Sequence, residues 1–443
     1  MAFTAIILAA GKGSRLKSNL PKPLHRVGGH PMLGWVIDSA TSAGATQIIP
    51  VISKDSPALE AYLSDFEVAI QDPPLGTGHA VLAASAHIKD KSKPLIILFG
   101  DTPLISAASI SALAKTIEEG LDICVVGFET ETPKGYGRLV FDGSGQLTRI
   151  VEESEASSAE KEITTVNGGM MAGRADVMLS LLETLSPDNS QGEIFLTDIV
   201  ASGHAAGHKI NAIFIDQSEI SGVNSRADLA HIETLLQHKL RAAAMAQGAT
   251  LIAPETVFLS SDTVLERDVV IEPHVVFGAG VHIGEGSIIK AFSHLEGVQT
   301  KACCVIGPYA RLRPGTELDE GVKIGNFVET KKARIAAGAK VNHLSYIGDA
   351  EVGEQANIGA GTITCNYDGF NKHQTLIGAG AFIGSNTALV APVSVGAGAI
   401  IGAGSTITKN VPDDGLGLTR APQANSENMA DKLRQRFQKA KKK

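Results

Sequence analysis

The sequence predicts a molecule in two parts, an α/β domain with a largely parallel sheet followed by a parallel β-helix. Three observations carry that prediction. In the first half, short apolar runs of strand length alternate with segments of helical periodicity. In the second half, large apolar residues recur at a step of six, as Ile377, Ile383, Leu389, Val395, Ile401 and Ile407. Between the halves, one stretch keeps the spacing of a single helix. A chain of 443 residues also exceeds what one core usually supports.

The alternation begins with a strand at Ala5 to Leu8 and a helix near Met32 to Ala43. A strand at Ile48 to Ile52 and a helix near His79 to Ile88 come next. Leu95 to Phe99, a helix near Ile110 to Glu118 and Ile123 to Phe128 continue the pattern. Such a βαβ rhythm implies a sheet covered on both faces, with ligands bound beyond the carboxyl ends of its strands. From Ser225 to about Gln247, Leu229, Ile232, Leu236, Leu240 and Ala243 keep helical spacing. Ser225 and Asp228 resemble a capping box at its start, and Gly248 ends it. The expected divisions are 1–223, a helical linker at 224–248 that acts as a spacer, and 249–443.

Neither a helix nor a hairpin has a period of six. A parallel β-helix does, because each short strand ends at a turn, one apolar side chain points inward, and Gly or Asn accommodates the corner. The phase also runs through Ile271, Phe277, Ile283 and Ile289, and through Ile306, Leu312, Leu318 and Ile324. It breaks between Ile358 and Ile377. The polar, turn-rich segment from Asn366 to Gln374 therefore reads as a loop pushed out of the coil, where binding groups concentrate.

Composition narrows the function. The net charge of −8 argues against nucleic acid as the main partner, which would need a basic face, but leaves room for a small anionic ligand. The four cysteines, Cys124, Cys303, Cys304 and Cys365, form no CxxC pair and fit free thiols in a reducing cytoplasm. No apolar run reaches membrane-spanning length, and the short run at Ala5 to Ala10 lacks the basic flank of a signal peptide.

The first strand runs into Leu8-Ala9-Ala10-Gly11-Lys12-Gly13-Ser14-Arg15-Leu16. Glycines let backbone approach a phosphate while Lys12 and Arg15 supply charge. The spacing is neither a Walker loop nor a dinucleotide fingerprint, because Leu16 stands at the third glycine position. Further on come Leu20-Pro21-Lys22-Pro23, then Leu75-Gly76-Thr77-Gly78 opening a helix, then Phe99-Gly100-Asp101 closing an apolar strand. Together these resemble the sugar-phosphate nucleotidylyltransferases, which implies a Rossmann-like nucleotidylyltransferase domain. Tyr136-Gly137-Arg138, Val151-Glu152-Glu153, Val166-Asn167 and Gly222-Val223-Asn224 fall where that family reads its sugar and completes its metal site. Gly168 stands where that family leads us to expect Thr.

The whole chain resembles the bifunctional bacterial enzymes that are both glucosamine-1-phosphate N-acetyltransferases and N-acetylglucosamine-1-phosphate uridylyltransferases. Its most specific motifs are Arg311-Leu-Arg313-Pro-Gly, Gly325 to Lys332, His343 to Asp349, and Asn357 to Gly369. The resemblance implies a left-handed hexapeptide β-helix that binds acetyl-CoA between chains of a homotrimer. It implies small-molecule substrates with UTP and acetyl-CoA as co-substrates, and Mg²⁺ held by Asp101 and Asn224. Nucleotide and sugar would be bound by Leu8, Ala9, Gly11, Lys12, Lys22, Gln71, Gly76, Thr77, Gly137, Glu152, Asn167 and Asn224. Lys12, Arg15 and Lys22 would neutralise phosphate. Both Arg15 and Lys22 are expected at the surface, so that replacing either changes stability little.

Acetyl transfer to an amine needs a group that removes a proton as nitrogen attacks, a task suited to His. The motif singles out His343 among 13 histidines, with Glu329 orienting its imidazole. Arg313 and Lys331 would hold the sugar phosphate, and Tyr346 and Asn357 its other polar groups. Ala360, Asn366, Tyr367, Ser385, Ala403 and Arg420 match acetyl-CoA positions, with Asn366 also stabilising the developing oxyanion. The rival reading is a single-function nucleotidylyltransferase whose β-helix serves assembly or regulation. It would not need His343, Lys331 and the Asn366 loop together. A β-helix zinc hydratase would need a second His at ligand spacing from His343, and the sequence has none.

Overall fold

The computed structural model describes residues 2–11, 13–186 and 192–441, and the chain divides into two compact units, 1–240 and 241–443. In the first unit seven strands form the main path of one sheet. Their order is Ile210–Phe214, Ile123–Glu129, Thr165–Arg174, Pro94–Phe99, Phe3–Leu8, Ala45–Ser53 and Ala69–Gln71. Phe3–Leu8 pairs in parallel with both neighbours. Its side chains alternate between two cores: Ala5 and Ile7 face one, Ile6 the other. This is the pattern of a sheet covered by helices on both faces. One strand departs from the parallel rule, since Thr165–Arg174 runs antiparallel to both neighbours and carries the hairpin Arg138–Phe141 and Leu147–Val151. After Phe3–Leu8 the chain adds strands on one side, then crosses to Pro94–Phe99 on the other. The crevice between the carboxyl ends of these two strands is where such sheets bind ligands.

Helix Arg226–Ala246 starts where the sequence expects. Asp228 N donates to Ser225 Oγ at 3.2 Å, while Asp228 Oδ2 accepts from the backbone N–H groups of Ser225 and Asn224 at 2.8 and 2.9 Å. Its first turns are part of the first unit. Ile232 and Leu236 are buried against Leu16, Val27, Met32, Leu104 and Val223, and Glu233 accepts from Gly28 N at 2.7 Å.

The second unit is a three-sided solenoid of parallel strands. Each coil lays one strand on a first face, such as Lys323–Asn326, then turns onto a second and a third. The long strands Glu329–Ile335 and Tyr346–Val352 bend across the last two faces, which explains why each pairs with two separate strands along one of its edges. All six residues of the step-of-six series, Ile377 to Ile407, are buried. At the corner after the first face, non-glycine residues adopt positive φ, including Phe327 at 55° and Leu344 at 50°. Phe292, Tyr309 and Phe327 stack there on successive coils with ring centroids 4.9 and 5.3 Å apart, close to the spacing of neighbouring strands. The segment after Cys365 leaves the coil as expected and returns at Thr375–Ile377, with Phe370 at its exposed tip.

Candidate active sites

In the first unit, the carboxyl ends of Phe3–Leu8 and Pro94–Phe99 open onto a cavity of about 440 Å³. Leu8, Ala9, Gly11, Lys22, Gln71, Gly76, Thr77 and Asp101 all line it. Gln71 is buried at the end of its strand and donates Nε2–H to the Gly76 carbonyl at 2.8 Å, which fixes the turn entering helix Thr77–Ala84. Gly76 has φ of 98°, and a Cβ there would meet the Ile194 carbonyl at 2.6 Å, so the turn requires glycine.

A second cavity, of about 490 Å³, shares Thr77 and Phe99 with the first and is lined by Glu152 and Asn167. Gly137 adjoins it, since Asn167 N donates to the Gly137 carbonyl at 2.8 Å. Burial pushes the Glu152 carboxyl up, opposed by the Thr197 hydroxyl and reinforced by Asp198 and Glu155. At Gly168 a Cβ would come within 3.0 Å of Ile220 Cδ1 and of the Val126 carbonyl, so packing here leaves no easy room for a side chain.

Lys22 joins residues distant in sequence. Its ammonium contacts Asp101 Oδ2 and donates to Asn224 Oδ1 at 2.9 Å, and its side chain is only 13% exposed. The expectation of a surface lysine is therefore corrected, because the carboxylate at a strand end and Asn224, just ahead of the long helix, enclose it. Arg15 is exposed on the turn Ser14–Leu16 and lines neither cavity. Lys12 lies outside the described residues. The sequence reading missed the segment after Gly192. There Leu196 N donates to Thr77 Oγ1 at 3.0 Å, Thr197 Oγ1 donates to Glu152 Oε1 at 3.3 Å, and Phe195 lines the second cavity. No periodicity marks it, although Gly76's need for glycine comes from this segment.

Among the described residues, no group of three or more His, Cys, Asp or Glu side chains could hold a metal ion. A hard ion such as Mg²⁺ needs fewer protein ligands, because substrate phosphates and water complete its shell. Asp101 and Asn224 fit that need, since their oxygens already converge on one cation, the Lys22 ammonium.

In the solenoid, the candidates gather along the corner after the first face. His343 ends strand Lys340–His343 and is exposed. Its Nδ1 lies 2.9 Å from Asn326 Oδ1. An amide oxygen only accepts, so this contact needs a proton on Nδ1, and in the neutral ring Nε2 is then left to present a lone pair. Glu329 does not orient the imidazole: Asn326 pairs with His343 on the first face, whereas Glu329 lies past the corner and pairs with Tyr346. The Glu329 carboxylate instead accepts from Arg313 Nη1 at 2.9 Å. Lys331 lies on the same strand as Glu329, and Asn357 lies one coil beyond Lys340 on the first face.

Tyr346 folds its ring over Gly348, where a side chain would collide with its hydroxyl. Asn366 is buried, and its Nδ2 donates to Asp349 Oδ2 and lies 3.5 Å from the Tyr346 hydroxyl. The oxyanion role expected of it is thus corrected, since its donors pin the root of the loop. Tyr367 is exposed, with Lys372 Nζ 4.2 Å from its ring centroid. Burial does not reach Asp368, yet backbone N–H groups of Asn371 and Phe370 and the His373 ring hold its carboxyl far below the usual carboxylate range. Coil-to-coil hydrogen bonds then link His343 O to Gly361 N, Ala360 O to Asn386 N, and Ser385 O to Gly404 N. Arg420 Nη1 donates to the Ala403 carbonyl at 2.8 Å. His343, Ala360, Ser385, Ala403 and Arg420 thus follow one edge.

The fold and the two constellations define a class: a nucleotidyltransferase domain joined to a hexapeptide-repeat acyltransferase. Residues 5–185 match the MobA-like NTP transferase domain, and residues 262–297 and 374–409 match the bacterial transferase hexapeptide repeats. A protein of Azorhizobium caulinodans named bifunctional protein GlmU is 52% identical over 98% of this chain and 97% of its own length. Its namesake in Zymomonas mobilis is 47% identical over 99% of this chain and 98% of its own length. The chain belongs to the bifunctional GlmU family, and is a GlcNAc-1-phosphate uridylyltransferase and acetyltransferase.

Proposed function

We propose that the two activities map onto the two units residue by residue, the chemistry of 1–223, completed by Asn224 at the head of the helical stretch 224–248, being separate from that of 249–443. The observation that carries this reading is that each unit holds its own constellation, Lys22 with Asp101 and Asn224 in one and His343 with Asn326 in the other.

In the uridylyl half, a phosphate oxygen of N-acetylglucosamine-1-phosphate attacks the α-phosphorus of UTP. The bond to the bridging oxygen breaks, and pyrophosphate leaves. The attacking oxygen is already anionic, so alignment and charge neutralisation suffice. Gln71, Gly76 and Thr77 hold the uridine and Glu152, Asn167 and Gly137 the sugar. Leu8, Ala9 and Gly11 line the phosphate path, with Lys12, Arg15 and Lys22 neutralising charge. Mg²⁺ bound by Asp101 and Asn224 would supply further neutralisation of the phosphates.

In the acetyl half, the amine of glucosamine-1-phosphate attacks the thioester carbonyl of acetyl-CoA. The carbon–sulfur bond breaks as the carbon–nitrogen bond forms, and His343 Nε2 takes the proton from nitrogen. Arg313 and Lys331 hold the sugar phosphate, and Tyr346 and Asn357 the remaining polar groups. From His343 to Ala403 the edge climbs three coils, roughly 14 Å at ordinary strand spacing, a length suited to an extended carrier such as acetyl-CoA. Ala360, Tyr367, Ser385, Ala403 and Arg420 would contact it.

The edge is open, and a homotrimer would cover it with a neighbouring chain. No described helix is long and apolar enough to cross a membrane. The test of assembly is co-expression of His343→Ala with Arg420→Ala. Recovery of acetyl transfer in mixed trimers is expected. An active monomer, or no recovery in mixed trimers, would overturn the shared site.

A further inference from the structure

We infer that Lys22 is a tethered cation that occupies the metal position until nucleotide arrives, so that the nucleotide-free protein takes up a divalent ion poorly and the ion enters together with the triphosphate. The inference rests on the reading of Asp101 and Asn224 as the metal-holding pair, and adds to it a competitor within the chain.

The two oxygens that touch the Lys22 ammonium are Asp101 Oδ2 and Asn224 Oδ1. Their backbones are tied to one another and to the start of the long helix. Val223 N donates to the Asp101 carbonyl at 3.0 Å, and Asn224 N donates to Asp228 Oδ2 at 2.9 Å. The pair is therefore set in place by the fold. An ammonium and a hard divalent ion seek the same lone pairs, and both cannot sit between these two oxygens.

The base of the lysine is fixed while its end can move. Lys22 opens the short turn Lys22–Leu24, in which Leu24 N donates to the Pro21 carbonyl at 3.0 Å and His25 N to the Lys22 carbonyl at 3.2 Å. Gly13 presses against the stem, since a Cβ there would approach Lys22 Cβ to 2.6 Å. Beyond that contact lie rotatable bonds and a compact charge. Lys22 and Asp101 line the same cavity, so a triphosphate entering it offers the ammonium a new anionic partner. Only then can Lys22 leave Asp101 without being left unpaired, and Asp101 and Asn224 become free for the ion. Nucleotide and metal should accordingly strengthen each other's binding, and by linkage each does so by the same factor.

The experiment measures Mn²⁺ binding to the full, nucleotide-free chain from the loss of the free-ion electron paramagnetic resonance signal. Lys22→Met keeps the length of the side chain and removes the charge. It should bind Mn²⁺ at least about tenfold more tightly than the unaltered protein, within the usual range of coupling between sites. Lys22→Arg keeps the charge and should bind as weakly as the unaltered protein. Thermal melting, with Lys22→Arg as a second variant, separates these effects from a failure to fold. Adding Asp101→Asn to Lys22→Met should abolish the gain. Equal affinity in the unaltered protein and Lys22→Met, with both sensitive to Asp101→Asn, would overturn the tethered cation and leave the metal pair standing. Binding by Lys22→Met that survives Asp101→Asn would instead overturn the metal pair and the inference with it.

Discussion

The two candidate sites differ in how much of their surroundings one chain supplies. In the α/β unit the residues line cavities of about 440 and 490 Å³, and the key lysine is 13% exposed between two oxygens from distant parts of the chain. On the solenoid, His343, Ser385, Ala403 and Arg420 are all exposed along an edge, and Tyr367 is exposed on the loop that leaves the coil. A twisted sheet generates concavity at the point where its strand order reverses. The edge of the solenoid that carries His343 aligns groups at regular intervals and leaves them open on their outer side. The first site should therefore depend on residues that fix one another, and the second on a few groups in register.

Lys22→Ala gives the largest effect expected from breaking that contrast on the enclosed side. Losing a preorganised cation should cost about 2 to 4 kcal/mol of transition-state stabilisation in pyrophosphate release. Because Lys22 is enclosed, the change should also lower stability, by roughly 1 kcal/mol. Pyrophosphate release at the unaltered rate would remove Lys22 from the chemistry. On the open edge, Asn326→Ala should lower kcat for thiol release about tenfold, the scale of one hydrogen bond, while Ser or Thr there should recover little of it. Glu329→Gln sharpens the assignment, since it weakens only the Arg313 pair. It should raise KM for glucosamine-1-phosphate roughly threefold with kcat unchanged. A kcat loss as large as that of Asn326→Ala would restore Glu329 as the group that orients the imidazole.

The smallest effect concerns Glu152. Its folded-state pKa lies above the unfolded one because of burial. The folded form thus holds the proton more tightly, and stability should be highest below the ordinary Glu value and fall as pH rises through the raised one. Glu152→Gln should flatten that fall in Tm measured between about pH 4 and 7. An unchanged slope would mean that the buried carboxylate carries no such cost.

The solenoid was legible because its geometry demands a buried apolar residue at every sixth position, as Ile377 through Ile407 display. The helix at Arg226–Ala246 was equally plain from its cap and apolar stripe. The partner of His343 was not, because Asn326 and Glu329 both lie about one coil earlier and only the position of the corner separates them. Nor was the enclosure of Lys22, which depends on Asn224, 202 residues away. The antiparallel run of Thr165–Arg174 was hidden too, since the glycines Gly168 and Gly169 interrupt its alternation and strand direction leaves no mark in composition.

The claim that each unit carries its own chemistry is tested most directly in one incubation with glucosamine-1-phosphate, N-acetylglucosamine-1-phosphate, acetyl-CoA, UTP and Mg²⁺, following free thiol and pyrophosphate separately. His343→Ala should lower thiol release by roughly a hundredfold or more, the scale of a lost general base, and leave pyrophosphate release intact. Asp101→Ala should do the reverse. Loss of both activities from either single change, in a protein that still melts cooperatively at the normal temperature, would contradict the account.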